Sequence, residues 1–156
     1  MRRRGFTYIE LMVTLAIMGI LAMVVIPLAE VRVQRDKERA LASALAEIRS
    51  AIDQYKRAVD AGQIAVGLPG SGYPRHLADL VAGVPDATSP SPKLMYFLRR
   101  IPRDPFCTDD SLPADETWAK RSYASPPDAP REGDDVYDVA SRSEKIALNG
   151  VPLKDW

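Results

Sequence analysis

From Leu11 to Ala29 the sequence reads LMVTLAIMGILAMVVIPLA, nineteen residues without a charge. Thr14 is the only hydroxyl in the run. As a helix it would span about 28 Å, close to the ~30 Å hydrocarbon core of a bilayer. A run of this kind restricts the fold before anything else does, because it must be covered by protein or by lipid. Arg2, Arg3 and Arg4 stand before it, and no basic cluster of that density follows. The excess of positive charge places the N-terminus in the cytoplasm and the remainder of the chain outside. A secretory signal peptide is the rival reading. It needs a small-residue cleavage site after the apolar core, and Val24-Val25-Ile26-Pro27 stands there instead. The expectation is one transmembrane helix that is not removed after its apolar core.

One carboxylate, Glu10, sits at the edge of this run. A charge in lipid costs roughly 2.5 kcal/mol or more, so its presence needs a reason. The stretch Gly5-Phe6-Thr7-Tyr8-Ile9-Glu10 resembles the class III signal of type IV pilins and pseudopilins. The resemblance implies that a prepilin peptidase on the cytoplasmic face cuts between Gly5 and Phe6 and methylates the new N-terminus. Glu10 is then the fifth residue of the mature chain, where that family places a glutamate. Gly19 and Pro27 fall on the family's helix-loosening glycine and proline positions. In a filament the Glu10 carboxylate would meet the Phe6 amino group of a neighbouring subunit, which would offset the desolvation and set the axial register. The division that follows is a cleaved cytoplasmic leader at 1–5, a transmembrane and assembly segment at 6–29, and a periplasmic domain at 30–156.

Past Pro27 the pattern changes. Leu41, Leu45, Ile48, Ile52, Tyr55 and Val59 recur at a 4-3-4-3-4 spacing, which is one helical face, and Ala40, Ala44 and Ala51 widen it. Glu38, Arg39, Glu47, Arg49, Asp53, Lys56 and Arg57 fill the other side. Gly62 is a stop signal. One helix from Phe6 to about Asp60, with a possible bend at Pro27, would be roughly 80 Å long. The stripe reads as the core face of the domain; a coiled-coil seam is the alternative.

Pro74 to Ala82 suits a short helix, with proline in its first turn. Pro85–Pro92 reads as a loop, and 94–101 as another short helix or turn. Ile101-Pro102-Arg103-Asp104-Pro105-Phe106 looks like the LPxDPW connection of the major pseudopilins of type II secretion, with isoleucine for leucine and phenylalanine for tryptophan. Trp118–Ala124 and Val136–Ala140 are strand candidates. Residues 146–153 read as a hairpin around a two-residue Asn149-Gly150 turn, and Pro152 confines its second arm to an edge. The fold class expected is α+β, with a long helix packed against a small antiparallel sheet of three or four strands. That is also the pilin-like lollipop implied by the resemblance.

The inventory excludes several chemistries. Lys and Arg number 21, as do Asp and Glu. Loss of the three leader arginines would leave 18 basic against 21 acidic side chains, about −3, so a nucleic-acid-binding stripe is absent. Cys107 is the only cysteine and His76 the only histidine, which excludes an intrachain disulfide, a thiolate metal site and a multi-histidine centre. No phosphate loop, nucleophile elbow or paired catalytic carboxylate stands out, and no enzyme activity is expected. The resemblance also implies a calcium site near the C-terminus. Calcium takes six to eight oxygens, yet SRSEKIALNGVPLKD, residues 141–155, holds no acidic cluster. Asp134, Asp135, Asp138 and Asp155 are weak candidates, and the hairpin is expected to stabilise the loop in place of the ion.

By resemblance, then, the chain is a structural subunit of a type II secretion pseudopilus, assembled at the bacterial inner membrane into a periplasmic filament. Its implied partners are the prepilin peptidase, copies of itself, minor pseudopilins and an inner-membrane assembly platform. The alternatives are a type IV pilus subunit acting in adhesion, motility or DNA uptake, and a membrane-anchored periplasmic binding module. The missing C-terminal cysteine pair weakens the pilus reading.

Overall fold

The structure, a computed structural model, describes residues 7–65, 70–91 and 93–156, the side chain of Val24 excepted. Gly5 and Phe6 lie outside the described residues. The chain divides into two compact units, Met1–Asp36 and Lys37–Trp156. Helix α1, Tyr8–Asp60, belongs to both.

In the first unit every described side chain from Tyr8 to Val33 is exposed. This is one helix long and apolar enough to cross a membrane, with none of its most apolar window buried inside the chain. Leu, Met and Ala favour the helix locally, and the backbone satisfies its own hydrogen bonds, as a lipid-exposed segment requires. Helix α1 runs on through Pro27. A proline has no N–H to give, so the carbonyl four residues back loses its usual partner there.

In the second unit α1 carries the core. Leu41, Ala44, Leu45, Ile48, Ala51, Ile52, Tyr55 and Ala58 are buried. The coiled-coil alternative does not hold, because the stripe is covered by Leu77, Leu80, Trp118, Val139, Ala147 and Leu153 of the same unit. The stripe drifts from the spacing read in the sequence. Ala40 is exposed, and Ala58 is buried where Val59 is only partly covered. A helix of 3.6 residues per turn rotates steadily against a seven-residue repeat, and the buried face follows that rotation.

Gly62 ends α1 as expected, at φ 72°. The Gln63 N–H donates to the Ala58 carbonyl and the Gly62 N–H to the Val59 carbonyl, both at 2.9 Å. This paired reversal is the Schellman cap, in which a left-handed residue lets two terminal carbonyls find donors.

The short helix is shorter than expected. Turns occupy Leu77 and Ala78, and α2 is Asp79–Ala82. The Asp79 carboxylate accepts from the His76 N–H at 2.9 Å, and His76 itself is exposed. Strands β1, Val84–Pro85, and β2, Leu94–Met95, then pair antiparallel. The helix or turn expected over 94–101 is therefore a strand followed by an irregular segment. Its backbone is claimed by long-range donors and acceptors: the N–H groups of Phe97 and Leu98 both donate to the Leu80 carbonyl.

Strands β3, Trp118–Arg121, and β4, Asp138–Ser141, form the second antiparallel ladder, with Trp118 opposite Ser141 and Arg121 opposite Asp138. Both were legible as strands. Among the described residues the sheet is two separate two-stranded ladders and not one sheet of three or four strands.

The 146–153 hairpin closes differently from the expected two-residue turn. The Gly150 N–H donates to the Ala147 carbonyl, and the Ala147 N–H to the Val151 carbonyl. Gly150 has φ 84°, and no described non-glycine residue, Asn149 included, has positive φ. The turn that Asn-Gly favours at two-residue hairpins needs both residues left-handed. Here only the glycine is, which gives a three-residue loop ending in a glycine bulge, with Ile146 bridged to Pro152.

Candidate functional site

Two regions carry the residues singled out by the sequence. The first is the start of α1. Thr7 precedes the helix and Glu10 is its third residue. The Thr7 Oγ1 accepts from the Glu10 N–H at 3.3 Å. The Thr7 N–H donates to the Glu10 Oε2 over a longer 3.5 Å. This is a reciprocal capping box, which satisfies two helix-end donors at once. The Thr-x-x-Glu spacing spells it in the sequence, and the reading of Glu10 as an assembly residue passed over it. The carboxylate is thereby turned back toward the N-terminus, where the helix dipole favours negative charge. Thr14 Oγ1 donates to the Leu11 carbonyl at 2.8 Å, so the run's one hydroxyl needs no outside partner. A Cβ added at Gly19 would meet nothing within 4 Å, so no neighbour among the described residues demands glycine there.

The second region is the C-terminal part of the domain. Asp104, from the Asp-Pro-Phe connection, is buried. Its Oδ1 accepts from the Phe106 N–H at 2.8 Å and its Oδ2 from the Ser141 hydroxyl at 2.5 Å. Its own N–H donates to Thr117 Oγ1 at 3.2 Å. Nearby the Trp118 indole N–H donates to the Pro102 carbonyl at 2.8 Å. The connection is thus a polar knot tying a proline-held loop to both β3 and β4. A buried carboxylate is tolerable when its oxygens are matched in this way.

The four acidic candidates for calcium do not converge. Asp134 and Asp155 are exposed. Asp135 Oδ1 accepts from the Ser122 hydroxyl at 2.7 Å and the Tyr123 N–H at 2.9 Å. Partial burial works against its charge, but bonds from Ser71, Tyr123 and Ser122 outweigh it and hold the carboxyl below its ordinary value. Asp138 Oδ1 accepts from Arg49 Nε and from the Val139 N–H, both at 2.8 Å. Among the described residues no group of three or more His, Cys, Asp or Glu side chains could hold a metal ion. The four aspartates thus form no carboxylate cluster of the kind calcium usually takes.

Arg49 was read only as part of the charged side of α1. Besides Asp138 it donates through Nη2 to the Val139 carbonyl at 3.0 Å and the Trp156 backbone oxygen at 2.7 Å. No local signal could have shown this, because its partners lie 89 to 107 positions away.

Residues 1–26 match the prokaryotic N-terminal methylation motif. Over 96% of its length the chain is 32% identical to type II secretion system core protein G of Dickeya chrysanthemi, covering 95% of that protein. It is 30% identical to the core protein G of Klebsiella pneumoniae, over 86% of this chain and 93% of that one. With the Vibrio cholerae core protein G it shares 32% identity over 69% of this chain and 68% of the relative. No solved structure matches the chain. A methylation motif at the head of an uncovered apolar helix, and near full-length likeness to the Dickeya and Klebsiella proteins, place the chain in the type II secretion core protein G family, the major pseudopilins of the type IV pilin-like superfamily.

Proposed function

We propose that the chain is cut after Gly5, methylated on Phe6 and assembled, from a single-pass position in the inner membrane, into a periplasmic pseudopilus that moves proteins outward. The observation that carries this reading is the exposed apolar face from Tyr8 to Val33, headed by the methylation motif. Apolar surface of that extent is stable only under lipid or against other copies of the helix, and a filament subunit passes from the first to the second. Glu10 is the register residue: its carboxylate leaves the lipid edge to pair with the Phe6 amine of a neighbour. The prepilin peptidase, an inner-membrane assembly platform and minor pseudopilins are its partners. Its work is mechanical and not catalytic.

The test is replacement of the native core protein G in a type II secretion strain. The chain should restore export when Gly5 is intact. Gly5→Trp should leave the leader attached, visible by intact mass in the membrane fraction, and abolish export. A Gly5→Trp chain whose mass still begins at Phe6 would contradict the site of the cut.

A further inference from the structure

A calcium ion stabilises a loop by gathering oxygens from separate chain segments around one charge. The acidic side chains here do not gather, yet one charge does collect such oxygens. Arg49 Nε meets Asp138 Oδ1, and Nη2 meets the Val139 and Trp156 oxygens, at 2.7 to 3.0 Å. Two of these acceptors lie on β4 and the third on the C-terminal turn. A guanidinium suits the task because its donors form a fixed planar fork that cannot be deprotonated.

We propose that the Arg49 guanidinium does in this domain what a bound divalent cation would do, fastening β4 and the C-terminal segment to α1 without metal. A second contact from the same helix completes the fastening. Glu38 Oε1 accepts from the Leu148 N–H at 2.9 Å, at the tip of the 146–153 loop. Glu38 and Arg49 are eleven positions apart, about three helical turns, and so share one flank of α1. One flank therefore offers an anion to a loop N–H and a cation to loop and strand oxygens. Asp138 supplies the countercharge and bonds the neighbouring Val139 N–H with the same oxygen, which fixes it for the guanidinium. Asp138 is thereby a guanidinium partner and not a metal ligand.

The experiment uses the full chain in detergent micelles, with unfolding followed by the fluorescence of buried Trp118 and half-buried Trp156. In chelator and in millimolar calcium the wild-type midpoint should be the same, since a ligand that binds only the folded state must raise it. Arg49→Met should lower the midpoint by roughly 4 °C or more, and calcium should not restore it. Amide exchange in 145–153 should quicken in that variant. Arg49→Lys, which keeps the charge and loses the fork, should recover only part of the loss. If Arg49→Met does not fold, Asp138→Asn and the wild-type calcium comparison decide. A wild-type midpoint raised by calcium would overturn the proposal, as would an Arg49→Met or Asp138→Asn chain that melts with the wild type.

Discussion

Asp135 stays charged in a partly buried place because three donors face it, and that has a pH signature. Its folded pKa lies below the ordinary value, so its stabilising contribution is complete above the unfolded carboxylate value of about 3.9. The contribution is lost as pH falls through the folded value. Asp135→Asn should lower the melting midpoint of the domain at neutral pH, and the gap to wild type should close as pH drops below about 4. A gap that stays constant down to the acid limit would contradict the assignment. Asp104 is a sharper case, since it is buried and its carboxylate is the acceptor for both the Phe106 N–H and the Ser141 O–H. Asp104→Ala should cost about 2–4 kcal/mol in urea unfolding, the loss of more than one buried charge-assisted bond. A cost under about 1 kcal/mol would mean that water replaces the carboxylate. At this scale the sequence was only partly legible. Glu10 stood out because a charge beside an apolar run is conspicuous. Arg49 did not, and Asp104 did only as one letter of the Asp-Pro-Phe connection, because a single arginine or aspartate carries no trace of partners that the fold brings from distant positions.

The elements were more legible than their edges. Helix α1, its stop at Gly62 and strands β3 and β4 follow from periodicity and glycine alone, which are local properties. The two-residue ladder of β1 and β2 is too short to leave a pattern, and the 146–153 turn type depends on tertiary bonds that the Asn-Gly pair does not encode. The stripe on α1 can be tested where sequence and structure part. Ala40→Lys should change stability by no more than about 0.5 kcal/mol, as an exposed helix substitution does. Ala44→Lys, one turn further on the buried face, should be strongly destabilising, because a charge would enter the core unpaired. Ile48→Ala, a fully buried position, should cost about 2–5 kcal/mol. Equal effects at Ala40 and Ala44 would show that the buried face is the one read from spacing and not the rotated one. A fragment beginning at Glu30 should give a circular-dichroism spectrum of mixed helix and strand, whereas one beginning after Asp60 should not fold, having lost the helix face on which its core packs.

For the whole molecule the central claim is that this major-pseudopilin chain builds a filament through the first part of α1, with Glu10 setting the register. The capping box adds a competing use for that carboxylate, because within one chain it already serves the Thr7 N–H. The two uses separate by mutation. Glutamine can still close a capping box but carries no charge for an amine. Glu10→Gln should therefore leave α1, membrane insertion and leader cleavage intact while removing the subunit from filaments. The measurement is the amount of this variant in sheared or crosslinked filaments, beside its cleavage in the same cells and with no wild-type copy present. The account predicts full cleavage and no filament. Normal filaments from Glu10→Gln would contradict it and leave the residue as a helix cap.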